Sequence, residues 1–157
     1  MGVKRIEQGK LITNRVPILI IEPNADHWLI IRATLAQCFP EVVPVWVNQT
    51  SQVKDYLTSL GEKKAELPQM IVTELYLPDR QSGLSLLEEL KSNPPYQRIP
   101  TIVLSDSSSS KDVTAAYRFK IASYMVKPTT SQEWLTSFHS FRQYWWELVR
   151  LPRLKLP

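Results

Sequence analysis

The sequence predicts an α/β fold, a (βα)5 doubly wound sheet of five parallel strands with helices on both faces. Short apolar runs alternate with amphipathic stretches along the chain, the pattern of βαβ units. The runs are continuously apolar rather than alternating, as strands covered on both faces require. A length of 157 residues suits one such domain with a proper core and leaves no room for a second catalytic or DNA-binding domain.

In order, the apolar runs are Pro17 to Ile21, Val42 to Val47, Met70 to Leu75, Thr101 to Leu104 and Ala122 to Val126. Helical patterns fall at 25–38, 50–64, 83–92, 109–119 and 130–150. Turn clusters such as Leu77-Pro78-Asp79 and Asn93-Pro94-Pro95 separate them. Asn24 suits the N-cap of the first helix, Gly61 lies near the end of the second, and Thr130 or Ser131 caps the last. The domain is expected over 16–150, between a flexible N-terminal tail at 1–15 and a C-terminal tail at 151–157.

The composition, 43% hydrophobic and 22% charged, is that of a soluble globular protein. The net charge of +4 comes largely from the ends, from Lys4, Arg5, Lys10, Arg15, Arg150, Arg153 and Lys155. Such basic tails are more often solvated than bound to nucleic acid, so no nucleic-acid partner is expected. Cys38 is the single cysteine, which excludes an intrachain disulfide and suits a core filler in a reducing compartment. No segment approaches the ~20 apolar residues that span a bilayer, and a cytoplasmic location without membrane contact is expected.

In an open parallel sheet, chemistry collects beyond the carboxyl ends of the strands. Glu22 and Pro23 follow the first strand, Glu74 the third, Ser105 the fourth, and Lys127-Pro128 the fifth. Two acids, a hydroxyl and a lysine are therefore expected on one edge. His27 and His139 have no partners at metal-ligand spacing and read as surface or packing residues. The run Ser107 to Ser110 offers hydroxyls for modification, although loop and cap chemistry explains it equally.

These residues resemble the response-regulator receiver family over about 16–150. The stretch Ile18 to Asp26 is similar to the family's first strand and acidic pair. Glu74-Leu-Tyr-Leu-Pro78 has the spacing between the acceptor Asp and the following loop proline. Ile99 to Ser105 ends on the hydroxyl position, and Tyr124-Met-Val-Lys-Pro128 carries the switch aromatic, the lysine and a cis-capable Lys-Pro bond. Gly83 falls one residue late after Pro78, which implies a small insertion at Asp79 to Ser82.

By this resemblance, a working receiver holds Mg²⁺ with two acids and the acceptor, while hydroxyl and lysine bind the phosphoryl oxygens. Here Glu74 stands at the acceptor position and Pro23 replaces the second acid. An extra methylene displaces the attacking oxygen by ~1 Å, and such misplacement can cost ~10²-fold in rate. The expectation is a degenerate, non-enzymatic site without a cofactor, at most weakly Mg²⁺-binding through Glu22 and Glu74. Glu74 should instead reach Lys127 and Ser105, either mimicking the phosphorylated state or forming a charge cluster without consequence.

The last helix carries two apolar stripes. Trp134, Phe138, Phe141, Trp145 and Leu148 should pack on the sheet, while Leu135, His139, Arg142 and Trp146 lie about 100° around. The second stripe is expected at an interface. The ending Tyr144-Trp-Trp-Glu-Leu-Val-Arg-Leu-Pro152 resembles the C-terminal extension of single-domain receivers associated with bacterial phytochrome-type kinases, which implies a homodimer through this surface. The leading expectation is thus a pseudo-receiver that binds a histidine kinase, another regulator or itself. The alternatives are a phosphorylation-competent, Mg²⁺-dependent receiver, using Glu74 or Asp79, and a flavodoxin-like binder of a small ligand. Pro23 and the absence of a phosphate cradle after the first strand weigh against the last.

Overall fold

The computed structural model describes the backbone of residues 5–7, 10–12 and 15–148, with side chains over 15–145. Strands β3 (Val16–Ile21), β4 (Val42–Val47), β5 (Met70–Thr73), β6 (Thr101–Ser105) and β7 (Ser123–Val126) form one sheet. All its pairings are parallel, in the order β4-β3-β5-β6-β7. This is the flavodoxin-like order, whose direction reverses between β3 and β5, the place where open parallel sheets gather their functional residues at the carboxyl ends. The segment expected as an N-terminal tail contains two short strands, β1 (Arg5–Glu7) and β2 (Lys10–Ile12), paired antiparallel.

Alternation along the strands feeds two layers. Ile18 and Ile20 of β3 join the cluster with Leu35, Trp134, Phe138 and Phe141. Leu19 and Ile21 point oppositely, into the cluster with Val53, Leu57, Leu86 and Leu90. Helices α1 (Ala25–Cys38) and α5 (Ser131–Arg142) cover the first face. Helices α2 (Thr50–Glu62), α3 (Arg80–Ser92) and α4 (Ser110–Tyr117) cover the other. Burying each large aliphatic or aromatic side chain contributes roughly 1.5–3 kcal/mol, so this two-faced burial is the main force fixing the strand order.

Local chemistry sets the helix starts. Asn24 Oδ1 accepts from the N–H groups of Asp26 (2.9 Å) and His27 (3.2 Å), capping α1. Thr130 Oγ1 caps α5 by accepting from the Glu133 N–H at 3.2 Å. Helix α3 begins at Arg80 rather than 83, because Asp79 Oδ1 accepts from the Ser82 N–H at 2.8 Å. The residues expected to form a loop insertion are therefore its cap and first turn. Among the described residues the peptide bond Leu77–Pro78 is cis, and the cis-capable Lys127–Pro128 bond is not.

The last helix also differs from expectation, since α5 gives way at Gln143 to a π-helical segment, Gln143–Leu148. Trp134, Phe138 and Phe141 are buried and Trp145 packs against them, while the side chains of Trp146 and Leu148 lie outside the described residues. Part of the stripe expected at an interface is used internally. Leu135 packs against the core, Arg142 Nη2 bonds Glu41 Oε2 at 2.9 Å, and the Arg142 guanidinium lies over the Phe39 ring. His139 is exposed.

Candidate functional site

The carboxyl ends of β3, β5, β6 and β7 bring Glu22, Glu74, Ser105 and Lys127 to one edge. Backbone bonds fix their heights: Glu22 N–H to Val47 O (3.0 Å), Glu74 N–H to Ile21 O (2.9 Å) and Lys127 N–H to Ser105 O (2.8 Å). All four residues are buried.

Lys127 is the hub. Its Nζ lies 2.7 Å from Glu22 Oε1, 2.9 Å from Glu74 Oε1 and 2.9 Å from His27 Nδ1. An ammonium has three protons and no lone pair, so three acceptors saturate it, and Nδ1 of His27 must be the unprotonated ring nitrogen. The remaining carboxylate oxygens are also engaged. Glu74 Oε2 accepts from the N–H groups of Leu75 and Tyr76, and Glu22 Oε2 from that of Asn24 at 3.1 Å. Burial by itself lowers the Lys127 pKa, but the hydrogen bond to Glu22 and the charges of Glu74 and Glu22 outweigh it and hold the amine above its ordinary value. Its contribution to stability is therefore complete at neutral pH and is lost only as pH rises through the raised value.

Glu74 reaches Lys127 as expected, but Ser105 does not join it. Ser105 Oγ accepts instead from the Ser107 N–H at 3.2 Å. His27 is the residue the sequence reading missed. Its signal was the cap at Asn24, which fixes the first turn of α1 directly beyond Glu22 and so aims position 27 at the strand ends.

A second network adjoins this edge. Asp112, in the first turn of α4, is only 3% exposed. Its carboxylate accepts from Ser107 Oγ (2.5 Å), Tyr76 Oη (2.9 Å) and Arg80 Nε (2.6 Å). Tyr124 Oη donates to the Ser107 carbonyl at 2.8 Å. Because Glu74 Oε2 holds the Tyr76 N–H, hydrogen bonds run from Glu74 through Tyr76, Asp112 and Ser107 to Tyr124. Tyr124 is thus tied to the Glu74 edge through Ser107, whose N–H also bonds Ser105 Oγ. The overlooked signal was Ser109-x-x-Asp112, a helix-start pattern whose hydroxyl accepts from the Asp112 N–H at 3.5 Å.

The Ser107 hydrogen bond is the largest cause holding the Asp112 carboxyl below its ordinary range; burial opposes it, and Arg80 and Tyr76 add to it. A depressed carboxyl gives stability that is complete above the unfolded value, ~3.9, and is lost as pH falls through the folded one. Asp112→Asn is expected to flatten the acid limb of a stability-versus-pH profile below about pH 4 while leaving its alkaline limb unchanged. An unchanged acid limb in urea melts would show that Asp112 carries no such linkage.

The donor set does not suit the Mg²⁺ of a working receiver. Mg²⁺ requires near-octahedral oxygen ligation. Glu22 and Glu74 are already shared with Lys127 and backbone N–H groups, and Pro23 has no carboxylate to add. No group of three His, Cys, Asp or Glu suited to a metal occurs among the described residues. Asp79, the alternative acceptor, is engaged as the α3 cap.

Residues 18–139 match the response regulator receiver domain, and the chain belongs to that family. It is 29% identical over 150 residues to the probable methanogenesis regulatory protein FilR2 of Methanothrix harundinacea, covering 94% of this chain and 96% of that protein. It is 32% identical over 98 residues to the response regulator Rcp1 of Synechocystis, covering 62% of this chain and 66% of Rcp1. Among solved structures, the phosphorylated cyanobacterial phytochrome response regulator RcpA is similar at a TM-score of 0.78 and 27% identity. That match covers 88% of this chain and 99% of RcpA. The Mn²⁺-bound form of Rcp1 is similar at 0.76 and 25%, covering 87% and 99%. The chain is thus a two-component receiver domain related to phytochrome response regulators. No helix among the described residues is long and apolar enough to cross a membrane.

Proposed function

We propose that this chain is a pseudo-receiver, a signalling module that works through protein contacts without an aspartyl-phosphate cycle. The three-acceptor capture of Lys127 carries this reading. The lysine that would meet a phosphoryl group and the carboxylates that would meet a metal neutralise one another, so the basal state already holds its own counter-ion. Phosphoryl transfer here would require breaking a buried ion pair, which costs several kcal/mol, and would then proceed from a carboxylate one methylene too long. The relatives described as Mn²⁺-bound and phosphorylated do what this proposal denies to the present chain.

The partner class is a histidine kinase or another regulator of the same pathway, with a second copy of the chain docking through the last helix. His139 and Tyr144 are exposed on that helical end, Tyr144 by 54%. The test is a double reversal, Pro23→Asp with Glu74→Asp. The double variant is expected to gain Mg²⁺-dependent labelling by acetyl phosphate, seen by intact mass, with the native chain unlabelled. Equal labelling of the native chain would restore the phosphorylation-competent reading. Sedimentation checks the dimer: a native dimer that dissociates in His139→Glu, Tyr144→Glu is expected, and a native monomer contradicts it.

A further inference from the structure

A cleft of about 350 Å³ lies between the start of α3 and one face of α4, lined by Arg80, Ser110, Lys111, Thr114, Ala115 and Arg118. Small-molecule sites begin at roughly 300 Å³, so the space suffices for a compact ligand. Positions 111, 114, 115 and 118 follow the i, i+3, i+4, i+7 spacing of one helix face. Ala115 is buried beneath, while Lys111, Thr114 and Arg118 are exposed. Arg80 closes the cleft from the first turn of α3.

The lining holds three cations and two hydroxyls, and no carboxylate. Asp112, the acid of the same helix, is buried and committed to Ser107, Tyr76 and Arg80 Nε. Among the described residues, neither Lys111 nor Arg118 forms a salt bridge. Arg80 gives Asp112 its Nε, and a guanidinium has two further Nη groups with which to meet a ligand. Three like charges around one concavity focus a positive potential, which concentrates anions.

We propose that this cleft binds a phosphate-class anion carried on a small soluble molecule. Arg80 and Arg118 supply planar forks for paired oxygens, Lys111 a point charge, and Ser110 and Thr114 hydroxyl donors. The site lies outside the Glu22–Glu74–Lys127 edge and is independent of whether that edge accepts phosphate.

Inorganic pyrophosphate is the probe, titrated into the full chain at ionic strength held constant with NaCl, without Mg²⁺, while amide shifts are followed by NMR. The expected result is saturable movement of the Lys111, Thr114 and Arg118 amides with Kd below about 1 mM, near −4 kcal/mol. Lys111→Ala, Arg118→Ala should weaken it at least about tenfold with an unchanged melting temperature, since both side chains are exposed. Linear, unsaturated shifts, shifts reproduced by NaCl, or equal binding by the double variant would overturn the proposal.

Discussion

Lys127→Met is expected to lower stability by about 3–5 kcal/mol, seen as a reduced urea midpoint at pH 7 with an unchanged slope. Lys127 and Glu22 each have 2% of the side chain exposed and Glu74 has 7%, so removing the ammonium leaves two carboxylates facing one another away from water. Methionine replaces the stem but not the charge. A domain of this size is stable by only about 5–15 kcal/mol, so the variant approaches its unfolding limit. Adding Glu22→Gln and Glu74→Gln should recover much of the loss, because an orphaned charge costs more than an absent pair. A loss under about 1 kcal/mol for Lys127→Met alone would mean that the cluster is hydrated and weak.

Gly83→Ala is expected to have an effect of similar size for a different reason. A Cβ at position 83 would land on the backbone carbonyl of Leu75, and backbone cannot rotate away as a flexible side chain can. Helix α3 must therefore move off the end of β5. Overpacking usually costs about 1–3 kcal/mol and more where the neighbour is rigid, so a loss of about 3 kcal/mol or greater is expected in urea melts. The displacement also reaches the site, because the Leu75 N–H is held by Glu74 Oε2. Loss under about 1 kcal/mol with unmoved amides at Glu74 to Tyr76 would show that α3 can tilt freely.

The strand set and helix order were legible because apolar runs at 17–21, 42–47, 70–75, 101–104 and 122–126 carry period and length together. The strand ends followed, and with them Glu22, Glu74, Ser105 and Lys127 on one edge. Boundaries were less legible where a cap decides them: Asp79 begins α3 three residues before the apolar period reveals it. Contacts across many residues were legible at one end only, because the caps at Asn24 and Ser109 place His27 and Asp112 but not their partners. His27 meets Lys127 over a separation of 100 residues, and Asp112 collects Tyr76, Arg80 and Ser107 from three segments. A residue's type and spacing reveal neither meeting, since only the sheet order brings them together. Arg142 shows the opposite error. Its position on an apparently spare stripe suggested an interface, whereas Glu41 and Phe39 engage it within the fold.

The most direct test of the central claim is a titration of BeF₃⁻ with Mg²⁺ into the native chain, following Trp fluorescence and the amides of Glu74, Ser105 and Lys127. The stacked pair Trp28 and Trp46 reports on the site, since Trp46 Nε1 donates to the Glu22 carbonyl at 2.9 Å. With Lys127 held by Glu22, Glu74 and His27, no saturable Mg²⁺-dependent change is expected. Saturable shifts at Glu74, Ser105 and Lys127 together would show that the lysine leaves its partners for a phosphoryl group, and would contradict the account.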